Sequence, residues 1–74
     1  MSDILDLKGL NCPLPVLRTK KAMKAVPAGQ TLTVKATDPG AMRDITAICE
    51  TAGFTLLSVE ERSGVFIFEI RQVA

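Results

Sequence analysis

Four prolines and five glycines cut this 74-residue chain into short segments, and the hydrophobic period changes from one segment to the next. Alternation at period two marks a half-buried strand and recurrence near 3.6 marks an amphipathic helix, so the switches read out the order of the elements. Leu5 and Leu7 alternate with Asp6 and Lys8 and stop at Gly9, the pattern of a short first strand. A helix is expected over 13 to about 26, because proline suits a first turn whose N–H groups have no intrahelical partner. Its apolar side would be Val16, Leu17, Ala22, Met23 and Val26, with Pro27-Ala28-Gly29 as the turn that ends it.

A second strand over 31–37 alternates Leu32, Val34 and Ala36 against Thr31, Thr33 and Lys35. Asp38-Pro39 then reads as an acid N-cap with proline at the first helical position. Ala41, Ile45, Ile48, Cys49 and Ala52 recur at helical spacing, and Gly53 stands where a left-handed C-terminal residue belongs. Segments 55–61 and 65–72, joined around Arg62-Ser63-Gly64, read as a hairpin, with Phe66, Phe68 and Ile70 on one face and Val65 and Ile67 on the other. The order βαβαββ with right-handed crossovers predicts a two-layer α/β sandwich, an α+β arrangement with both helices on one face of a four-stranded mixed sheet. One domain spanning 1–74 is expected. The apolar Val65 and Ile67 on the open face leave room for weak self-association.

Composition removes most catalytic chemistry. There is no His, Trp or Tyr and there are only two cysteines, Cys12 and Cys49. Without imidazole there is no Ser-His or Cys-His pair. Two cysteines 37 positions apart make neither a CxxC redox pair nor a zinc cage, and the eight acids are scattered, so no metal and no cofactor is expected. Met1-Ser2-Asp3 lacks a basic start and no apolar run reaches membrane-span length, which reads as a cytoplasmic protein with reduced thiols and no membrane contact.

Cys12-Pro13-Leu14-Pro15 is hard to explain by folding alone. Cys12 falls at or beside the N-cap of the first helix, where Ser, Thr, Asp or Asn would stabilise more. A thiol at a helix start is expected to have a lowered pKa, although Pro13 and Pro15 each delete an N–H and leave Leu14 and Val16 as donors. The expectation is a rigid pedestal with a moderately activated sulfur. Cys49, on the apolar face of the second helix, reads as core. Asp38 reads as a cap, and Asp44 with Arg43 as a surface pair.

The formal net charge of +1 is a cancellation. Between Lys8 and Lys35 lie Lys8, Arg18, Lys20, Lys21, Lys24 and Lys35 and no acid, so the helix that follows Cys12 belongs to a basic segment suited to an acidic protein partner or a nucleic acid.

Gly9-Leu10-Asn11-Cys12-Pro13-Leu14-Pro15-Val16 resembles the signature G-L-x-C-P-x-P-h of the TusA/SirA family of small sulfur carriers, and Gly29, Asp38-Pro39, Arg43-Asp44-Ile45 and Gly53 follow in the family's order. The resemblance runs from Leu5 to Arg71. It departs at Lys8, where Arg is frequent, and at Thr37, where a second acid is common. It implies a βαβαββ sandwich similar to the C-terminal domain of a bacterial translation initiation factor, and a sulfurtransferase-type persulfide on Cys12. Gly9, Pro13 and Pro15 would support the motif. Asp38, Arg43 and Asp44 match positions near the carrier cysteine or its docking surface, and Arg18, Lys21 and Lys24 of the basic segment are candidate docking residues from their charge. The implied partners are a sulfur donor, a cysteine desulfurase or rhodanese, and an acceptor relay protein, in tRNA thiolation, sulfur oxidation or cofactor biosynthesis. With Phe54, Phe66 and Phe68 as the aromatic residues, direct nucleic-acid binding is not expected. Two other readings of the residues stand beside it: a small basic RNA-binding module, disfavoured by the scarcity of stacking aromatics, and a single-cysteine redox sensor.

Overall fold

The computed structural model describes residues 3–73; the reading made on Met1 and Ser2 lies outside them. The elements are β1 (Asp3–Leu7), α1 (Leu14–Lys24), β2 (Thr31–Ala36), α2 (Ala41–Ala52), β3 (Thr55–Arg62) and β4 (Val65–Arg71). The sheet order is β1-β2-β4-β3, with β1 parallel to β2 and the other pairs antiparallel. A parallel pair needs a crossover, which α1 supplies, and β4 folds back between β2 and β3 to close the sheet. This is the expected mixed four-stranded sheet with both helices over one face.

The period of two sets what each strand buries. Leu5, Val34, Phe68 and Val59 stand in register across all four strands, as do Leu32, Ile70 and Leu56 across three. These side chains form the inner face, where Leu32, Val34, Phe68 and Ile70 are buried with Met23, Ile45 and Cys49 from the helices. The outer face carries the polar residues of the same strands. Asp6, Lys35, Ile67 and Glu60 form one row and Ile4, Thr33, Glu69 and Ser58 another, so charge breaks up the apolar residues there.

The hairpin turns at Ser63 and Gly64, whose φ values of 52° and 83° are both left-handed, the two-residue geometry that matches strand twist. Strand β3 carries a bulge between Leu56 and Ser58. Simple alternation would put Leu57 and Val59 on the same side. The extra residue resets the phase, so Leu56 and Val59 both pack on the core and Leu57 is exposed.

Helix α1 is shorter than expected and buries a different stripe. Pro15, Thr19 and Met23, four residues apart, face the sheet, whereas Leu17, expected inside, is 55% exposed. Val16, Ala22 and Val26 are half-buried. Thr19 fits the interior because its hydroxyl donates to the Pro15 carbonyl at 2.7 Å, leaving its methyl to pack. In α2, Ala41, Ile45 and Cys49 are buried and Gly53 closes the helix at φ 82°, as expected, but Ala52 is exposed in the last turn. The C-terminal segment pins the α1–β2 connection: Gly29 N–H donates to the Gln72 carbonyl at 2.6 Å and Gln72 Nε2 to the Met23 carbonyl at 2.8 Å. Among the described residues no helix is long and apolar enough to cross a membrane.

Candidate functional site

Parallel pairing decides where the site lies. Leu7 stands opposite Ala36, so β1 and β2 end side by side, and the two loops that leave them run together before each enters its helix. One loop holds Cys12 and the other Asp38. Gly9 makes the first turn possible with φ 85°, which a residue bearing Cβ adopts only under strain. Its N–H donates to Thr37 Oγ1 at 2.9 Å, the first link between the loops. The second is from Cys12 N–H to Asp38 Oδ2 at 3.0 Å. The third comes from the first turn of α2, where Asp44 Oδ2 lies 3.7 Å from Cys12 Sγ and accepts from the thiol.

Cys12 is exposed at the tip of this arrangement, joined to Pro13 by a cis peptide bond. Pro13 occupies the N-cap position with no side-chain cap, and Pro15 is buried, so the first turn of α1 is anchored on the core while the sulfur stays outside. The N–H of Leu14, expected to face the sulfur, donates to the Asn11 carbonyl at 2.9 Å. The Leu14 N–H is therefore not free to stabilise a Cys12 thiolate. Loss of hydration, the Asp44 charge, the Asp44 hydrogen bond and the Asp38 charge together hold its thiol above the usual range, the reverse of the activation expected from the helix dipole.

Asp38 is not the cap of α2. Gly40 takes that place and the helix begins at Ala41; the Asp38 carboxylate accepts from Gly40 N–H at 3.3 Å and from Cys12, closing an Asx-type turn that also grips the neighbouring loop. Asp44 does not form the expected surface pair with Arg43; it is half-buried and turned to the thiol. Arg43 instead lines an open depression of about 590 Å³ along α2 with Pro39, Met42, Thr46, Ala47 and Glu50.

The basic segment disperses in three dimensions. Arg18, Lys21 and Lys24 are exposed on α1, but Lys35 belongs to the outer face of the sheet and Lys8 pairs with Asp6 at 3.7 Å. Acid, not base, stands nearest the sulfur. Sequence reasoning also missed that Leu14 and Leu17, in the helix that follows Cys12, are exposed, 41% and 55% accessible. The available signal was Pro15, which, once placed inward, turns residues 14 and 17 outward. Cys49 is 3% exposed in the core, and burial pushes its thiol up. An exposed sulfur on a loop held by the Gly9–Thr37 and Cys12–Asp38 hydrogen bonds is within reach of another protein's thiol.

Comparison with known proteins points the same way. A family described as "Sulfurtransferase TusA" matches residues 3–72. The chain is 47% identical over 68 residues to the sulfur carrier protein TusA of Allochromatium vinosum, covering 92% of this chain and 90% of the relative. It is 44% identical over 71 residues to the sulfur carrier protein TusA of Pseudomonas putida, covering 96% and 89%. The crystal structure of a SirA-like protein from Desulfitobacterium hafniense superposes with a TM-score of 0.83 at 27% identity, covering 97% of this chain and 99% of that one. Fold and sequence agree over almost the whole described length, and the chain belongs to the TusA family of sulfur carriers.

Proposed function

We propose that Cys12 is the atom-carrying residue of this sulfur carrier, holding sulfane sulfur as a persulfide in the cytoplasm. The observation that supports it is the separation of the two thiols, Cys12 exposed on a braced loop and Cys49 in the core. In the loading step Cys12 sulfur attacks the terminal sulfur of a donor persulfide. A bond forms between Cys12 Sγ and that sulfur, the donor's S–S bond breaks, and the donor leaves as a thiolate that takes up the proton Cys12 gave up. An acceptor thiolate then repeats the exchange on the outer sulfur. Sulfur moves without net oxidation, and the step demands an accessible sulfur, passage through the Cys12 thiolate and room for in-line approach. A cysteine desulfurase or a rhodanese is the donor and a relay protein the acceptor.

Gly9, Pro13 and Pro15 set the loop, and the exposed Leu14 and Leu17 beside Arg18, Lys21 and Lys24 form the docking face, apolar at its centre and basic at its edge. Such a face suits a small, transient contact with an acidic partner rim. The redox-sensor reading lacks a resolving thiol, since the other cysteine, Cys49, is buried in the core. Radiolabelled cysteine with a desulfurase tests the proposal. Label is expected on the wild type, released by reductant, and absent from Cys12→Ser. Paired Lys21→Glu and Lys24→Glu changes should slow loading, with wild-type loading also slowed by salt, while alkylation of Cys12 by a small reagent is unchanged. Label on Cys12→Ser would overturn the assignment.

A further inference from the structure

We propose that Asp44 is a positioning residue that keeps the unloaded Cys12 thiol protonated and loses its hold once a persulfide has formed. The inference rests on the reading that Cys12 carries the sulfur. Its geometric basis is the 3.7 Å contact between Cys12 Sγ and Asp44 Oδ2. A carboxylate can only accept, so the sulfur must supply the proton, and a thiolate in the same place would meet like charge with no proton between.

The surroundings leave that contact uncompensated. Asp44 faces the sulfur from α2, and Asp38, bonded to the Cys12 N–H, adds a second negative charge from the adjoining loop. The nearest basic residue on α1 is Arg18, beyond the first turn and exposed. Lys8, on the same loop as Cys12, is paired with Asp6. Among the described residues no cation lies within ion-pair distance of Asp38 or Asp44. The raised thiol of Cys12 agrees with this arrangement.

A persulfide is a stronger acid than its parent thiol. The loaded group Cys12–S–S⁻ therefore has no proton to donate at neutral pH, and Asp44 has nothing to hold. The unloaded carrier is a poor nucleophile towards stray disulfides and electrophiles, whereas the loaded sulfur is free to meet an acceptor. In the loading reaction the thiol proton ends on the donor's departing sulfur and Asp44 remains an unprotonated carboxylate, so the latch resets when sulfur is handed on.

The test is the pH profile of Cys12 alkylation by iodoacetamide in wild type, Asp44→Asn and Asp44→Ser, with circular dichroism confirming the fold of each. Both variants should move the profile to lower pH, and a midpoint lower by about one pH unit means alkylation roughly tenfold faster at neutral pH. Cyanide release of sulfur from the loaded proteins should be unchanged, an outcome that a general disturbance of the loop would not give. A profile that stays put or moves to higher pH in the folded variants overturns the latch. Failure of the carrier reading shows separately, as wild type that takes up no sulfur on Cys12 from a desulfurase, whatever the alkylation profile.

Discussion

The backbone N–H of Cys12 donates to the carboxylate of Asp38 at 3.0 Å, across 26 residues of sequence, and so fastens the loop after β1 to the loop after β2. The same carboxylate takes the Gly40 N–H, which makes it the common anchor of both helix starts. Asp38→Ala removes both bonds in a partly solvated place and should cost roughly 1–2 kcal/mol of stability, read from the urea midpoint. Asp38→Asn, which keeps an acceptor oxygen, should lose less. Equal losses would mean that the charge, not the tether, is what matters.

Cys49 makes stability depend on pH at the alkaline end. Burial raises its thiol in the folded state, so the unfolded chain deprotonates first. Its contribution is fully present below the ordinary thiol range and is lost as pH rises through the folded value. The exposed Cys12, also raised, has the same sign. The urea midpoint of the wild type should fall more steeply above about pH 9 than that of Cys49→Ala, whose neutral-pH stability is lower by about 1 kcal/mol from the lost packing. Parallel pH curves for the two proteins would contradict this.

Phe68 is fully buried between Val34 and Val59 in the register of the sheet. Phe68→Ala should cost about 3–5 kcal/mol, much of the total for so small a chain, and broaden or abolish the calorimetric transition. Phe68→Leu should retain a cooperative transition at lower temperature.

The β3–β4 turn offers changes of opposite sign. Gly64, at φ 83°, should lose roughly 1–2 kcal/mol on mutation to Ala, because Cβ meets the backbone in the left-handed region. Ser63, at φ 52°, already bears that strain, and Ser63→Asn should gain a few tenths of a kcal/mol. Chemical denaturation of the two variants reads both signs.

Element order was legible because proline and glycine punctuate each change of period, and the inward residues of β2 and β4 followed from alternation alone. The misses have tertiary causes. Thr19 looked polar and Leu17 apolar, but the inward placement of Pro15 chose the stripe, and a threonine can satisfy its hydroxyl on its own helix. The bulge at Leu57 exists only because β3 must match β4 on both sides of it. Cys12 was legible from its proline brace. Its environment was not, since the acids come from residues 38 and 44, brought in by the register Leu7–Ala36. Reading the helix start in isolation therefore gave the wrong direction for the thiol.

The most direct test of Cys12 as the sulfur-bearing residue is intact mass under non-reducing conditions after incubation with a cysteine desulfurase and cysteine. Wild type and Cys49→Ser should each gain sulfur that reductant removes, and Cys12→Ser should gain none. Equal gains in all three proteins, or none in any, would contradict the account.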